Sequence, residues 1–268
     1  MESPAANGSR ASFILYIQFS GFREIVGHEK AAVREQGAGN ASRCVPAQSY
    51  IRDRTVLDVR WGGQDQVDRV GRMSKGEQTR RRIIAEAAPL FNQRGYEGCS
   101  IQDIMDATGL EKGGIYRHFG SKEELAAEAF DFAWATTSEN RLRHLDSIPN
   151  HVDRLKQHIV NFVTRAGFPG GCPLLNTAVD SANGNPVLRE RVREALHGWQ
   201  RMLGEIVEDG KQSGTIREDV DACKLANLII GSVEGAMLIG RIERMDQPLR
   251  DALDHLNEHL EERVRSRA

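Results

Sequence analysis

From residue 75 to the C-terminus, apolar side chains recur at helical spacing, and no stretch of useful length alternates apolar with polar residues. A chain patterned this way buries one stripe of each segment by packing helix on helix. Ile83, Ile84, Ala87, Leu90 and Phe91 form the stripe of a first helix over 75–94, which Gly95 closes as a C-terminal cap. Pro89 falls inside it, where it removes a hydrogen bond and bends the axis. Further helices are expected over 152–167, 173–182, 187–211, 219–243 and 248–265, with breaks at "GFPGG", "NGNP", "GKQSGT" and "MDQP". The fold class is therefore all-α.

Residues 1–72 lack that period. They read either as a disordered extension or, preferably, as sequence upstream of the true start, because "MSKGEQTRRRIIAEA" from Met73 looks like a natural beginning. The 36 basic and 38 acidic residues give no global charge that points to nucleic acid or membrane. Cysteines 44, 99, 172 and 223 show no C-x-x-C spacing and there is no histidine cluster, so neither a metal nor another cofactor is expected. No uninterrupted apolar run approaches the roughly 18 residues of a bilayer span. "ASFILYIQF" at 11–19 lacks the basic cluster and cleavage site of a secretion signal. The expected location is the cytoplasm, without membrane contact.

Chemistry concentrates in residues 100–125. "SIQDIMDATG" opens with Ser100, places Asp103 three residues later and ends at Gly109, the signature of a short capped helix. "GLEKGGIYRHFGSKEEL" then supplies a second short helix and, through Ser121 and Glu124, a capping box for the next. Gly113 and Gly114 each weaken that second helix by roughly 1 kcal/mol relative to alanine. Two short helices joined by a tight glycine turn match the helix-turn-helix, whose second helix enters the DNA major groove. Glycine there lets backbone approach a phosphate or base edge. Lys112, Tyr116, Arg117 and His118 carry suitable donors, and Lys122 adds a cation at a helix N-terminus. Between 73 and 120, seven Lys/Arg against six Asp/Glu leave a net charge of about +1.

The run "T-R-x-x-I-I-x-x-A-x-x-L-F-x-x-x-G-Y", followed by "S-I-x-D-I-M-x-x-T-G-L-E-K-G-G-I-Y-x-H-F-x-S-K-E-E-L", resembles the TetR family of bacterial transcriptional repressors over residues 77 to 132. The resemblance implies a helix-turn-helix DNA-binding domain at 73–122 and a helical ligand-binding and dimerisation domain at 123–268. It implies a homodimer on near-palindromic double-stranded operator DNA, released by a small-molecule inducer. Carried over by position, the DNA-facing set is Ser100, Gln102, Lys112, Gly113, Gly114, Tyr116, Arg117, His118 and Lys122. Gly114 departs from the Thr or Ser common there, which removes a hydroxyl contact to phosphate.

In the C-terminal half, "ANLIIGSVEGAMLIG" carries Gly231 and Gly235 at a spacing that lets another helix approach. With Leu228, and with Leu253 and Leu256 of the last helix, these are the expected dimer interface. A ligand pocket is expected among Phe132, Phe162, Cys172, Leu175, Asn176 and Trp199. Cys172 precedes Pro173 at a predicted helix start, a position that lowers a thiol pKa. It reads as an ordinary packing residue, with an electrophile or oxidant sensor as the alternative. A Cys-dependent enzyme is the remote alternative: His144, His151, His158 and His197 are available as bases, but no catalytic motif surrounds them, so no enzyme is expected.

Overall fold

The computed structural model describes residues 74–164, 167–182 and 184–267; the reading of residues 1–72 and of Met73 lies outside them. Nine α-helices follow one another among the described residues: α1 (Lys75–Gly98), α2 (Ile101–Thr108), α3 (Lys112–Tyr116), α4 (Lys122–Leu142), α5 (His151–Thr164), α6 (Pro173–Ser181), α7 (Pro186–Gln212), α8 (Ala222–Glu243) and α9 (Gln247–His259). A π-helical turn, Leu260–Val264, continues α9. The only extended pairing among these residues is an isolated antiparallel bridge between Ile216 and Arg265.

Local sequence signals set the helix ends. Ser74, Asn185 and Asp221 each accept a backbone N–H of the first turn, which satisfies donors that the helix itself leaves unpaired. At α2 the box is reciprocal: Ser100 Oγ accepts the Asp103 N–H, and the Asp103 carboxylate accepts the Ser100 N–H at 2.7 Å. At α4 the box is displaced by one residue. Ser121 caps the Glu124 N–H, but the Glu124 carboxylate takes the N–H of Gly120. Gly95, at φ 75° and ψ 171°, breaks the helical path of α1 where the sequence placed its cap. Pro89 leaves the surrounding torsions helical.

Two cores form. In the head, α1 to α3 and the start of α4 enclose Ile83, Ile84, Ala87, Ile104, Ile115, Phe119 and Leu125. Arg80 braces this core, pairing with Glu128 on α4 while its guanidinium lies 4.8 Å from the Phe119 ring centre. The body packs α4 to α9 around Leu155, Ile159, Leu203, Val207, Ile229 and Leu260. Because α4 serves both cores, the expected division at residue 122 falls at the first turn of one continuous helix.

By length and composition, α8 alone among the described helices is apolar enough to cross a bilayer, a property it shares with core helices of folded domains. One face, with Ile229, Val233 and Ala236, packs inside the body. The other exposes Leu228, Leu238, Ile239 and Ile242.

Candidate nucleic-acid interface and effector centre

Ile115 and Phe119 seat the recognition segment in the head core. That anchoring leaves Gln102, Lys112, Gly113, Tyr116 and Arg117 exposed. A Cβ added at Gly113 meets nothing within 4 Å, and one at Gly114 meets only Leu110 at an ordinary 3.7 Å. Packing among the described residues thus requires neither glycine. Lys112 reaches over the Tyr116 ring at 5.9 Å. Gln102 donates to Asp106 at 2.7 Å, while Ser100 is held as the α2 cap. Hydrogen bonds from the Ser100 hydroxyl and N–H, with the nearby Arg94, hold Asp103 down to about 2.

Lys122, expected to face DNA from a helix N-terminus, also has a partner inside the chain. Its ammonium donates to the Tyr96 carbonyl at 2.5 Å and sits 4.3 Å from the Tyr96 ring centre. Part of its donor capacity therefore fixes α4 to the end of α1. Tyr96 is held from the body as well: its N–H donates to Asp180 of α6 at 2.7 Å. Beside it a polar chain crosses from head to body. Asn92 of α1 donates to the carbonyls of Pro169 and Gly171 (2.7 and 3.1 Å). Asn176 of α6 donates to the Asn92 carbonyl and accepts from Arg241 of α8 at 2.8 Å. A cavity of about 370 Å³ opens along this joint, lined by Phe91, Phe130, Ala133, Leu175, Asn176 and Leu238 among others.

The six expected pocket residues do not share one chamber. Leu175 and Asn176 line the cavity at the joint. Phe132 turns away and packs edge-on against Phe168 at 6.3 Å. Phe162, Cys172 and Trp199 meet deeper, around a residue that sequence reasoning missed. Arg141 is 5 % exposed. Its guanidinium lies 4.1 Å from the Phe162 ring centre, 4.7 Å from Trp199 and 5.5 Å from Trp134. Nη2 donates to Cys172 Sγ at 3.3 Å and approaches Glu234 Oε1 at 3.8 Å. The Cys172 thiol donates to that same Oε1 at 2.8 Å. His158 completes the shell, accepting from Trp199 Nε1 at 2.9 Å and facing the Arg141 carbonyl at 3.3 Å.

Burial dominates the titrations here. It pushes the Cys172 thiol up to about 12, against the pull of the Arg141 charge. The helix-start position of Cys172 is as expected, but its low pKa is not: desolvation outweighs the helix terminus. Burial likewise raises Glu234 and lowers His158 to about 4. The side chains hydrogen-bonded to Cys172 are Arg141 and Glu234, so no histidine stands as its base. The signal for Glu234 was visible as a lone acid in an apolar run; Arg141 in "SENRLRH" gave none.

On the expected dimer face, Leu228 is exposed, and added Cβ atoms at Gly231 and Gly235 meet nothing within 4 Å. Leu253 is half-buried against the body core, and Leu256 is only 3 % exposed. Leu256 thus spends its surface inside the chain, forming part of a shallow groove with Leu228 and Ser232.

Comparison with known proteins converges on one group. Residues 83–129 match the model for bacterial regulatory proteins of the tetR family, and 150–256 match the tetracyclin repressor-like C-terminal domain. A crystal structure of a TetR transcriptional regulator from Chloroflexus aurantiacus is 45% identical, with a TM-score of 0.70, covering 73% of this chain and 100% of that one. The chain belongs to the TetR family. A TetR-family regulator from Cytophaga hutchinsonii is 31% identical at a TM-score of 0.70, over 74% of this chain and 100% of its own. The HTH-type transcriptional repressor DhaR of Mycobacterium sp. (strain GP1) is 28% identical over 63% of this chain and 86% of its own length. This TetR-family member is accordingly a DNA-binding transcriptional regulator of the repressor type, with its helix-turn-helix in α2 and α3.

Proposed function

We propose that the protein is a homodimeric repressor that binds a near-palindromic operator and leaves it when a small molecule enters its body. The DNA-facing set is Ser100, Gln102, Lys112, Gly113, Gly114, Tyr116, Arg117, His118 and Lys122. Two copies join through the exposed faces of α8 and α9, where Gly231 and Gly235 leave room for a second helix. Recognition helices paired this way occupy successive major grooves roughly 34 Å apart.

The joint between head and body is the observation that carries the ligand response. Asp180 holds Tyr96, Tyr96 holds Lys122, and Lys122 begins the helix after the recognition segment. A shift of α6 is thereby passed to the DNA-facing end by direct hydrogen bonds. Such coupling needs a ligand with different contacts in the two arrangements, and the cavity beside Asn176, where α6 meets α1, supports a ligand acting there. A redox reading through Cys172 is disfavoured by a thiol 2 % exposed and pushed up to about 12. The deciding experiment is a nuclease footprint on the DNA upstream of the protein's own gene, run with wild type and an Asp180→Ala variant. A symmetric footprint supports the reading. Its absence at micromolar protein on that DNA and on a genomic fragment library refutes it.

A further inference from the structure

Three charged side chains line the cavity at the joint: Arg94, Asp180 and Arg241. We propose that this cavity takes an apolar monocarboxylate, and that Arg241 binds its carboxylate. This names the ligand class for the effector reading above and rests on it.

The fold disposes of the three charges differently. Arg94 pairs with Asp103. Asp180 accepts the Tyr96 N–H at 2.7 Å, and both its oxygens lie within 3.3 Å of the point where a Cβ on Gly95 would stand. Its carboxylate is thus laid against the end of α1. Arg241 donates from Nη1 to a neutral acceptor, Asn176 Oδ1 at 2.8 Å, and among the described residues no carboxylate pairs with it. Its Nε–Nη2 edge keeps two N–H groups, a fork that matches a carboxylate. A head seated there adjoins Asn176, whose amide nitrogen donates to the Asn92 carbonyl at 3.0 Å, and so adjoins the polar chain that joins α6 to α1. An ammonium has only Asp180 to answer it, whose oxygens are already turned on α1, and it meets Arg241 in the same lining.

Small side chains provide the room. Ala126, Ala129 and Ala133 of α4 line the cavity at steps of three and four residues, which is one face of a helix, and α1 contributes Ala88. Larger residues at these positions would fill the space. Phe91 and Phe130 extend the apolar wall. The volume of about 370 Å³ lies within the range of small-ligand sites. Leu238 and Val179 also line the cavity and are 47 % and 74 % exposed, which marks its mouth. Arg241, three residues beyond Leu238 on α8, is exposed as well. The ligand's body is therefore buried among alanines and rings, and its head stays at the mouth with Arg241.

Isothermal titration calorimetry of the full chain with cinnamate, cinnamamide and cinnamylamine tests this, because the three share one apolar body and differ in head charge. Wild type is expected to bind cinnamate about fivefold or more tightly than either other probe, the scale of a well-formed but partly exposed ion pair. Added salt should shrink that margin. Arg241→Met keeps the apolar stem and should bring cinnamate and cinnamamide within about twofold of each other. Ala129→Leu narrows the cavity and should weaken all three probes. Melting curves check that both variants fold, and the wild-type ranking with its salt dependence stands as a test even if they do not. Equal or tighter binding of the amide or the amine, an unchanged cinnamate margin in Arg241→Met, full affinity in a folded Ala129→Leu, or no heat from any probe overturns the proposal. Operator gel shifts on the same samples separate the two readings. Operator binding without a carboxylate preference sinks the ligand class alone, whereas loss of operator binding by wild type sinks the reading beneath it.

Discussion

Gly95→Ala strikes the joint at its tightest point. Gly95 holds φ at 75° and ψ at 171°, a region that essentially only glycine occupies. A Cβ there would stand 2.7 Å from Asp180 Oδ1 and 3.1 Å from its Cγ. The backbone strain costs about 1–3 kcal/mol. Asp180 is a side chain and can swing aside, but it then releases the Tyr96 N–H that it accepts at 2.7 Å. That bond is solvent-exposed, so its loss adds only about 1 kcal/mol. The sum, about 2–4 kcal/mol, corresponds to a fall in melting temperature of about 4–16 °C for a chain of this size. Circular dichroism melts of Gly95→Ala, Asp180→Ala and the double variant read it out. Asp180→Ala alone should lose about 1 kcal/mol, and the double variant should be no worse than Gly95→Ala, since the acceptor is already gone. A Gly95→Ala melt within about 1 °C of wild type, or strictly additive losses, would refute the argument.

Three further outcomes are expected. Tyr116→Ala and Lys122→Ala each weaken operator binding in gel shifts, and Lys122→Ala lowers the salt slope by about one unit; only Lys122→Ala should also lower the melting temperature, because it frees Tyr96. Wild type should keep its operator in mild oxidant, and Cys172→Ser should cost about 1 kcal/mol by burying a hydroxyl; oxidant release that vanishes in Cys172→Ser would restore the sensor reading. With His158 depressed to about 4, stability is full above the ordinary histidine range and is lost as pH falls from about 6.5 toward 4, since the unfolded chain takes a proton that the folded one refuses. The loss is on the order of 3 kcal/mol, and an equal slope in His158→Gln melts would show that another group is responsible.

The head was legible in the sequence because its signals are local. Capping residues act over three or four positions, so Ser100 with Asp103, Gly95 and Gly109 could be placed from the letters, and the structure finds them there. Membership in the family came from the same short stretch. The body was less legible, since its centre is assembled from residues up to about a hundred positions apart. Arg141 looks like surface charge next to Arg143 and His144, and only the rings of α5 and α7 packed on α4 make it interior. Trp199 and Phe162 were read as cavity lining, whereas they enclose a guanidinium. For Lys122 the sequence offers its place at a helix N-terminus but no hint that Tyr96, twenty-six residues earlier, accepts from its ammonium.

Asn176 sets a condition on how the molecule can vary. Its amide nitrogen faces three oxygens, the Asn92 carbonyl at 3.0 Å, Asn92 Oδ1 at 3.1 Å and the Gly170 carbonyl at 2.8 Å, while its oxygen faces the Arg241 guanidinium. The two ends of this side chain are therefore not interchangeable, although they are nearly the same shape. Aspartate in its place would turn an oxygen toward oxygens, leucine would leave the guanidinium unanswered, and glutamine would overreach by a methylene. The joint works as a keyed connector, with polarity as the key. Drift at position 176 is then closed unless residues on α1 and α8 change with it.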